Sequence, residues 1–248
     1  DLEKSSQKSE TYLKIAKAIQ GEHPKHQLEV LNNHLRREVK GSLLALCYYL
    51  GYSDIEPKVH GEIIHTLERP TKRKMICVPR ATFKSTIAAI AYPIFKLIHN
   101  PDLRILIDSE IYSNSITYLR AIKGHLMSPT MVDLFGKFET KTIWREDSII
   151  IGQREANIKE ASITCGGIGT TRVGQLYDVI IGDDYNSPLN TAYKDRAQKV
   201  VDHYMYNLSI LEPDGDYVII GTLYGEDDFI GWLLREVLEL KDLSEGIM

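Results

Sequence analysis

The chain has 248 residues, 43% hydrophobic and 26% charged, with a formal net charge of -4. It is long enough for one large α/β domain, or a domain with a small cap, and apolar enough to fill a core. The charge excludes a globally basic nucleic-acid binder, so any DNA contact must rest on a local patch such as Lys72-Arg73-Lys74. Cys47, Cys77 and Cys165 lie far apart without metal-ligand spacing and read as buried, reduced thiols, which suits an intracellular compartment. Asp1 to Glu10 is polar, unlike a signal peptide, and the apolar run Leu43 to Leu50 is far short of the about 20 residues of a membrane span.

Residues 1–70 read as mostly helical. Leu13 to Ile19 forms a short amphipathic stretch ended by Gly21. Leu28, Val30, Leu31 and Leu35 recur at helical spacing, and Val59 to Leu67 suggests one more helix. From residue 74 buried strands alternate with helices. Strands are predicted at Lys74–Pro79, Leu103–Asp108, Ser148–Ile151, Ser162–Cys165, Val179–Gly182 and Tyr217–Gly221. Helices are predicted at about Ser85–His99, Ser113–Met127 and Thr191–Leu211, with a kink or broken turn at Pro93. Continuous apolar strands in such alternation imply a mostly parallel sheet covered on both faces.

The first strand runs into Pro79-Arg80-Ala81-Thr82-Phe83-Lys84-Ser85-Thr86. A buried strand, a tight loop and a helix opening on Lys-Ser-Thr make a phosphate-binding loop. Val78 and Phe83 occupy the two glycine positions of G-x-x-x-x-G-K-[ST]. The cradle for ATP would be Arg80, Ala81, Thr82, Phe83, Lys84, Ser85 and Thr86. Lys84 would reach the outer phosphates, and Ser85 would take a Mg²⁺ position.

A second strand ends in a carboxylate pair, Val179-Ile180-Ile181-Gly182-Asp183-Asp184. Asp183 would hold Mg²⁺ opposite Ser85, and Asp184 would orient or deprotonate the attacking water. Taken alone, an Asp-Asp pair can equally cap a helix. The last strand places Thr222 at its carboxyl end, where ligands of open α/β sheets bind. Thr222 is then a candidate γ-phosphate sensor, with a turn residue beside Gly221 as the plainer reading. For adenine, the region of Val59, His60 and Ile63-Ile64 is a candidate, though a structural helix explains the same residues.

Together these elements resemble the ATPase domain of large terminase subunits, the motors that package viral DNA. Pro79-Arg80-x-x-x-Lys84-Ser85-Thr86 resembles that family's glycine-poor Walker A, and Asp178–Asp184 its Walker B. Gly221-Thr222-Leu223-Tyr224-Gly225-Glu226-Asp227-Asp228 looks like its coupling motif. The approach through Gly166, Gly167, Gly169, Thr171, Arg172 and Gly174 is also similar. The resemblance spans roughly residues 57–235. It implies a P-loop NTPase fold of the ASCE, RecA-like type, with residues 1–56 as a helical N-terminal subdomain and 57–248 as the ATPase core. It implies Mg²⁺-dependent ATP hydrolysis driving double-stranded DNA into a procapsid.

In that family Arg80 would contact phosphate, and a neighbouring subunit would supply an arginine placed between the second helix and the next strand. Arg145 fits that place, with Arg154 and Arg172 as rivals. The implied partners are portal protein, a small terminase subunit and further copies of the chain in a ring, in the host cell cytoplasm, without a membrane. A nuclease domain is not expected within this chain. The competing readings are a superfamily-2 helicase-like ATPase and a non-hydrolysing DNA-binding or scaffolding domain with a decayed P-loop.

Overall fold

The computed structural model describes residues 17, 24–170, 172–187, 194–225 and 228–237. At its centre is a six-stranded sheet of β1 (Arg73–Cys77), β2 (Ile105–Ser109), β3 (Ser148–Ile149), β4 (Ile163–Gly167), β5 (Tyr177–Asp183) and β6 (Leu211–Gly221), in the spatial order β1-β6-β5-β2-β4-β3. Neighbours run parallel, except that β3 is antiparallel to β4. The middles of the central strands are apolar because both faces are covered. Ile105, Ile107, Val179 and Ile181 point into one core, while Leu106 and Ile180, one residue out of step, point into the other.

The first face is covered by α1 (Pro24–Gly41), α2 (Leu43–Tyr49), α3 (Pro57–Glu68), a π-helical turn (Thr86–Ala91), α4 (Tyr92–His99), α5 (Tyr112–Leu126) and α6 (Pro129–Phe135). Val39, Leu46, Ile64, Ile87, Leu119 and Leu134 from these elements share one buried cluster with the strands. The second face carries α7 (Lys194–Ser209), α8 (Phe229–Trp232) and a closing π-helical turn at Leu233–Val237. Val200, Tyr204, Phe229 and Leu234 pack there on Tyr217 and Ile219.

Several boundaries differ from expectation, each for a local reason. β1 stops at Cys77. Val78 makes one last ladder bond to the Gly221 carbonyl at 3.2 Å, and Pro79 has no N–H to continue it. The helix after the loop opens as a π turn, and Pro93 then sits in the first turn of α4, where its missing N–H is tolerated. α7 ends at Ser209, and β6 begins at Leu211 rather than Tyr217. Its register against β5 jumps from Tyr177↔Leu211 to Val179↔Asp216, so Glu212 to Gly215 are accommodated by an irregularity. α6 was not predicted, although Ser128 caps it by accepting from Met131 N at 3.3 Å and Pro129 opens it.

The predicted stretch Leu13 to Ile19 (Lys17 apart), Thr171, Thr191 to Tyr193, and Glu226 and Asp227 lie outside the described residues. Cys47, Cys77 and Cys165 are buried free thiols. No helix of the described residues is long and apolar enough to cross a membrane.

Candidate active site

Strand register brings three loops to one edge of the sheet. β6 lies between β1 and β5, pairing Cys77 with Gly221 and Ile220 with Asp183. The carboxyl ends of all three strands therefore open onto the same crevice, the usual ligand position in open parallel sheets.

The loop after β1 takes a glycine-like path without glycine. Ala81 and Phe83 have φ of 63° and 53°, in the left-handed region that costs a side-chain-bearing residue roughly 1–2 kcal/mol. Thr82 Oγ1 donates to the Pro79 carbonyl at 2.8 Å, and Ile87 N donates to the Phe83 carbonyl at 2.9 Å, which closes the loop and starts the helix. The Phe83 ring turns outward against His60 of α3, with centroids 5.5 Å apart, edge to face.

Lys84 is buried, and its Nζ donates to Thr222 Oγ1 at 2.7 Å. The same Nζ lies 3.4 Å from Asp184 Oδ1. That oxygen is shielded from water and makes no hydrogen bond, so the contact is an ion pair at a distance, although the Asp184 side chain as a whole is 37% exposed. Ser85 Oγ donates to Asp183 Oδ1 at 2.8 Å, and Tyr118 Oη of α5 donates to Asp183 Oδ2 at 2.5 Å. Burial raises the Asp183 carboxyl to about 6, with the Tyr118 bond opposing the rise and the Asp184 charge adding to it. Burial, then the adjacent Asp183 charge, push the Tyr118 phenol well above its ordinary value, so it stays a donor.

Asp184 also stands at a left-handed φ of 46°, its N–H donating to the Ile220 carbonyl at 2.8 Å. The next residue anchors this turn. The Tyr185 ring lies directly on Gly182, where a Cβ would meet ring carbon Cε2 at 2.5 Å, and Tyr185 Oη donates to Asp108 Oδ2 at 2.8 Å. His203 Nε2 and Asn207 Nδ2 of α7 meet the same carboxylate oxygen at 2.6 and 2.7 Å. This buried network ties α7 to the turn that carries Asp184.

Arg80 is exposed. Its Nη2 donates to Tyr224 Oη, and its guanidinium carbon lies 5.5 Å from the Tyr224 ring centre, linking the loop after β1 to the segment after β6. Thr86 opens the π turn. Arg145 is not brought to this crevice. It is exposed beside β3, which lies three strand positions beyond β5, roughly 14 Å at 4.8 Å per step. Arg154 Nη1 donates to the Glu160 carbonyl at 2.6 Å, and Arg172 Nη2 donates to the Cys165 carbonyl at 2.6 Å, so both are turned into their own chain. Of the residues considered for adenine, Ile63 and Ile64 are core, His60 faces Phe83, and Val59 is exposed.

Sequence reasoning did not reach Tyr118 or the Asp108–His203–Asn207 network. Nothing in the local pattern around Tyr118 distinguishes it from any tyrosine on a half-buried helix. Among the described residues no group of three or more His, Cys, Asp or Glu side chains gathers as a metal cage. The Ser85 hydroxyl and Asp183 carboxylate are hard oxygen donors, which suit an ion that takes one or two protein oxygens and completes its shell with phosphate and water.

No protein-family model and no curated protein matches the sequence. Solved structures do. The crystal structure of the HK97 bacteriophage large terminase superposes with a TM-score of 0.52 at 11% identity, over 75% of this chain and 37% of that one. The S. cerevisiae Dbp5 L327V structure, bound to Nup159, Gle1 H337R, IP6 and ADP, gives a TM-score of 0.49 at 12% identity, over 79% of this chain and 49% of that one. This chain therefore spans less than half the length of either. At such identity the likeness is one of fold. What is shared with that terminase is a mostly parallel sheet flanked by helices.

Proposed function

We propose that the chain is the ATP-hydrolysing motor domain of a viral large terminase, driving double-stranded DNA into a procapsid. The observation that supports this reading is the meeting of Lys84, Ser85, Asp183, Asp184 and Thr222, from three separate strand ends, at one crevice. In this reading residues 1–56 are its N-terminal subdomain and 57–248 its ATPase core.

In this reading the loop from Arg80 to Thr86 cradles the triphosphate with backbone N–H groups. Lys84 and Arg80 neutralise the outer oxygens. Ser85 and Asp183 would hold Mg²⁺, which would supply charge neutralisation to the phosphates. Asp184 orients a water and takes its proton. The water oxygen bonds to the γ-phosphorus, the bond from that phosphorus to the β–γ bridging oxygen breaks, and ADP leaves with that oxygen. Thr222, bonded to Lys84, reports the loss of the γ-phosphate to β6.

Arg145, exposed beside the outermost strand β3, acts on the site of a neighbouring copy in a ring. Portal protein and a small terminase subunit are the further partners, in the host cell cytoplasm. Magnesium-dependent binding of a fluorescent ATP analogue by the wild type, lost in Lys84→Ala, tests the reading. A wild type with no such binding sinks it and favours a scaffold with a decayed loop.

A further inference from the structure

Asp183 is reached by two hydroxyl groups, and only one of them comes from the phosphate-binding loop. Ser85 holds Oδ1 and Tyr118 holds Oδ2. Tyr118 stands on α5, which follows β2, and β2 pairs with β5 so that Ser109 lies opposite Asp183. Its neighbours Ser115, Leu119 and Ile122 anchor the helix on the sheet. Ser115 Oγ donates to the Gly166 carbonyl at 2.6 Å, which fixes the helix at that level of the strands. The phenol is therefore carried to Asp183 by a braced element rather than by a loop.

We propose that Tyr118 is the positioning residue for the magnesium-binding carboxylate. The inference rests on the reading of the site as one for magnesium and nucleotide. A carboxylate on a short stem rotates readily about its last bond, because that torsion is broad and two-fold. With Oδ2 engaged by Tyr118, Oδ1 is the oxygen left on the Ser85 side, where the cation is to be held. Ligating carboxylates generally depend on such an outer hydrogen bond for their orientation. Removing it also leaves a buried oxygen of Asp183 without a donor.

The test is Tyr118→Phe in the full chain, which keeps the ring and deletes only the donor. A fluorescent, non-hydrolysable ATP analogue is titrated in EDTA and at a series of Mg²⁺ concentrations. The expected result is unchanged affinity in EDTA and a magnesium requirement raised about ten- to hundredfold. A magnesium requirement equal to wild type overturns the proposal. An equal loss with and without magnesium also overturns it, since that marks a structural role.

A wild type whose analogue binding ignores magnesium overturns the site reading along with it, whereas a magnesium-dependent wild type and an unaffected variant overturn the Tyr118 assignment alone. A second measurement needs no variant. In a crystal structure of the wild type with Mg²⁺ and the analogue, Tyr118 Oη should remain within hydrogen-bond distance of Asp183 Oδ2. An Oη withdrawn from the carboxylate in that state overturns the proposal.

Discussion

Lys84 Nζ lies 2.7 Å from Thr222 Oγ1, across 138 positions of sequence. The contact exists because β6 inserts between β1 and β5, so the residue that follows β6 faces the loop that follows β1. Thr222 also reaches the Val78 carbonyl at 3.4 Å, which joins it to the start of that loop.

Thr222→Val keeps the shape and removes the hydroxyl. A hydrogen bond to a charged group contributes about 1.5–3 kcal/mol, so turnover should fall about 10- to 100-fold while nucleotide binding is retained. Thr222→Ser, which restores the hydroxyl, should recover most of the rate. Phosphate release under steady-state conditions measures both, and wild-type turnover by Thr222→Val contradicts the coupling role.

Asp184→Asn removes the proton acceptor without changing size. Turnover should drop at least ~100-fold, the usual scale for a general base, and ATP should still bind. Lys84→Ala should lose binding and turnover together. Calorimetric titration alongside the rate assay separates the two outcomes, and near-normal hydrolysis by either variant refutes the assignment.

Arg145 and Asp184 should complement each other between subunits. Arg145→Ala and Asp184→Asn are each expected to be inactive when assembled alone. Mixed in equal amounts, some interfaces then pair an intact Asp184 with an intact Arg145 from a neighbour, and part of the activity should return. If Arg145→Ala alone hydrolyses ATP at the wild-type rate, Arg145 has no such role.

Phe83 holds a left-handed backbone that glycine adopts freely. Relief of that strain gains about 1–2 kcal/mol, and the greater flexibility of glycine in the unfolded chain takes back about 0.5–1 kcal/mol. Phe83→Gly should therefore be more stable than Phe83→Ala by about 0.5–1 kcal/mol, since both lose the ring contact with His60. Urea denaturation of the two variants decides it. Equal stability would mean that the loop relaxes out of the left-handed region once the ring is gone.

Asp178 makes an acid-sensitive tie at the other end of the sheet. Burial by itself raises its carboxyl, but the bonds from Arg104 outweigh burial and hold it below the ordinary range. Arg104 Nε donates to Oδ2 at 2.9 Å and Nη2 donates to Oδ1 at 2.7 Å. A carboxyl that is more acidic when folded favours folding above its unfolded pKa of about 3.9, and that contribution is lost as pH falls through the folded value. Wild-type stability should thus decline as pH falls below about 4 more steeply than that of Asp178→Asn. Urea midpoints across that range give the slopes, and parallel slopes would exclude Asp178 as the source.

Much of this protein is local and was legible in the sequence. The alternation of apolar strands with helices depends on side-chain periodicity, and the loop beginning at Pro79 and the Asp183-Asp184 pair are each contiguous runs. Even α6 was signalled by Ser128-Pro129, though the prediction passed over it. The Asp178–Arg104 tie, the Asp108–His203 network and the Tyr118–Asp183 bond left no such trace, because each joins residues far apart in the chain.

The sequence by itself determined which segments are buried on both sides and which chemical groups follow the strands, since hydrophobic periodicity and turn chemistry act over a few neighbouring residues. Only the tertiary structure decided that β6 separates β1 from β5, that Thr222 meets Lys84, that Tyr118 reaches Asp183, and that Arg145 stands beside the outermost strand β3. Strands with interchangeable apolar patterns can pair in many orders, and the choice among them is made by packing and crossover geometry that no short stretch encodes. The left-handed turns at Ala81, Phe83 and Asp184 belong to the same class, because closure of the surrounding fold, not the preference of those residues, holds them there.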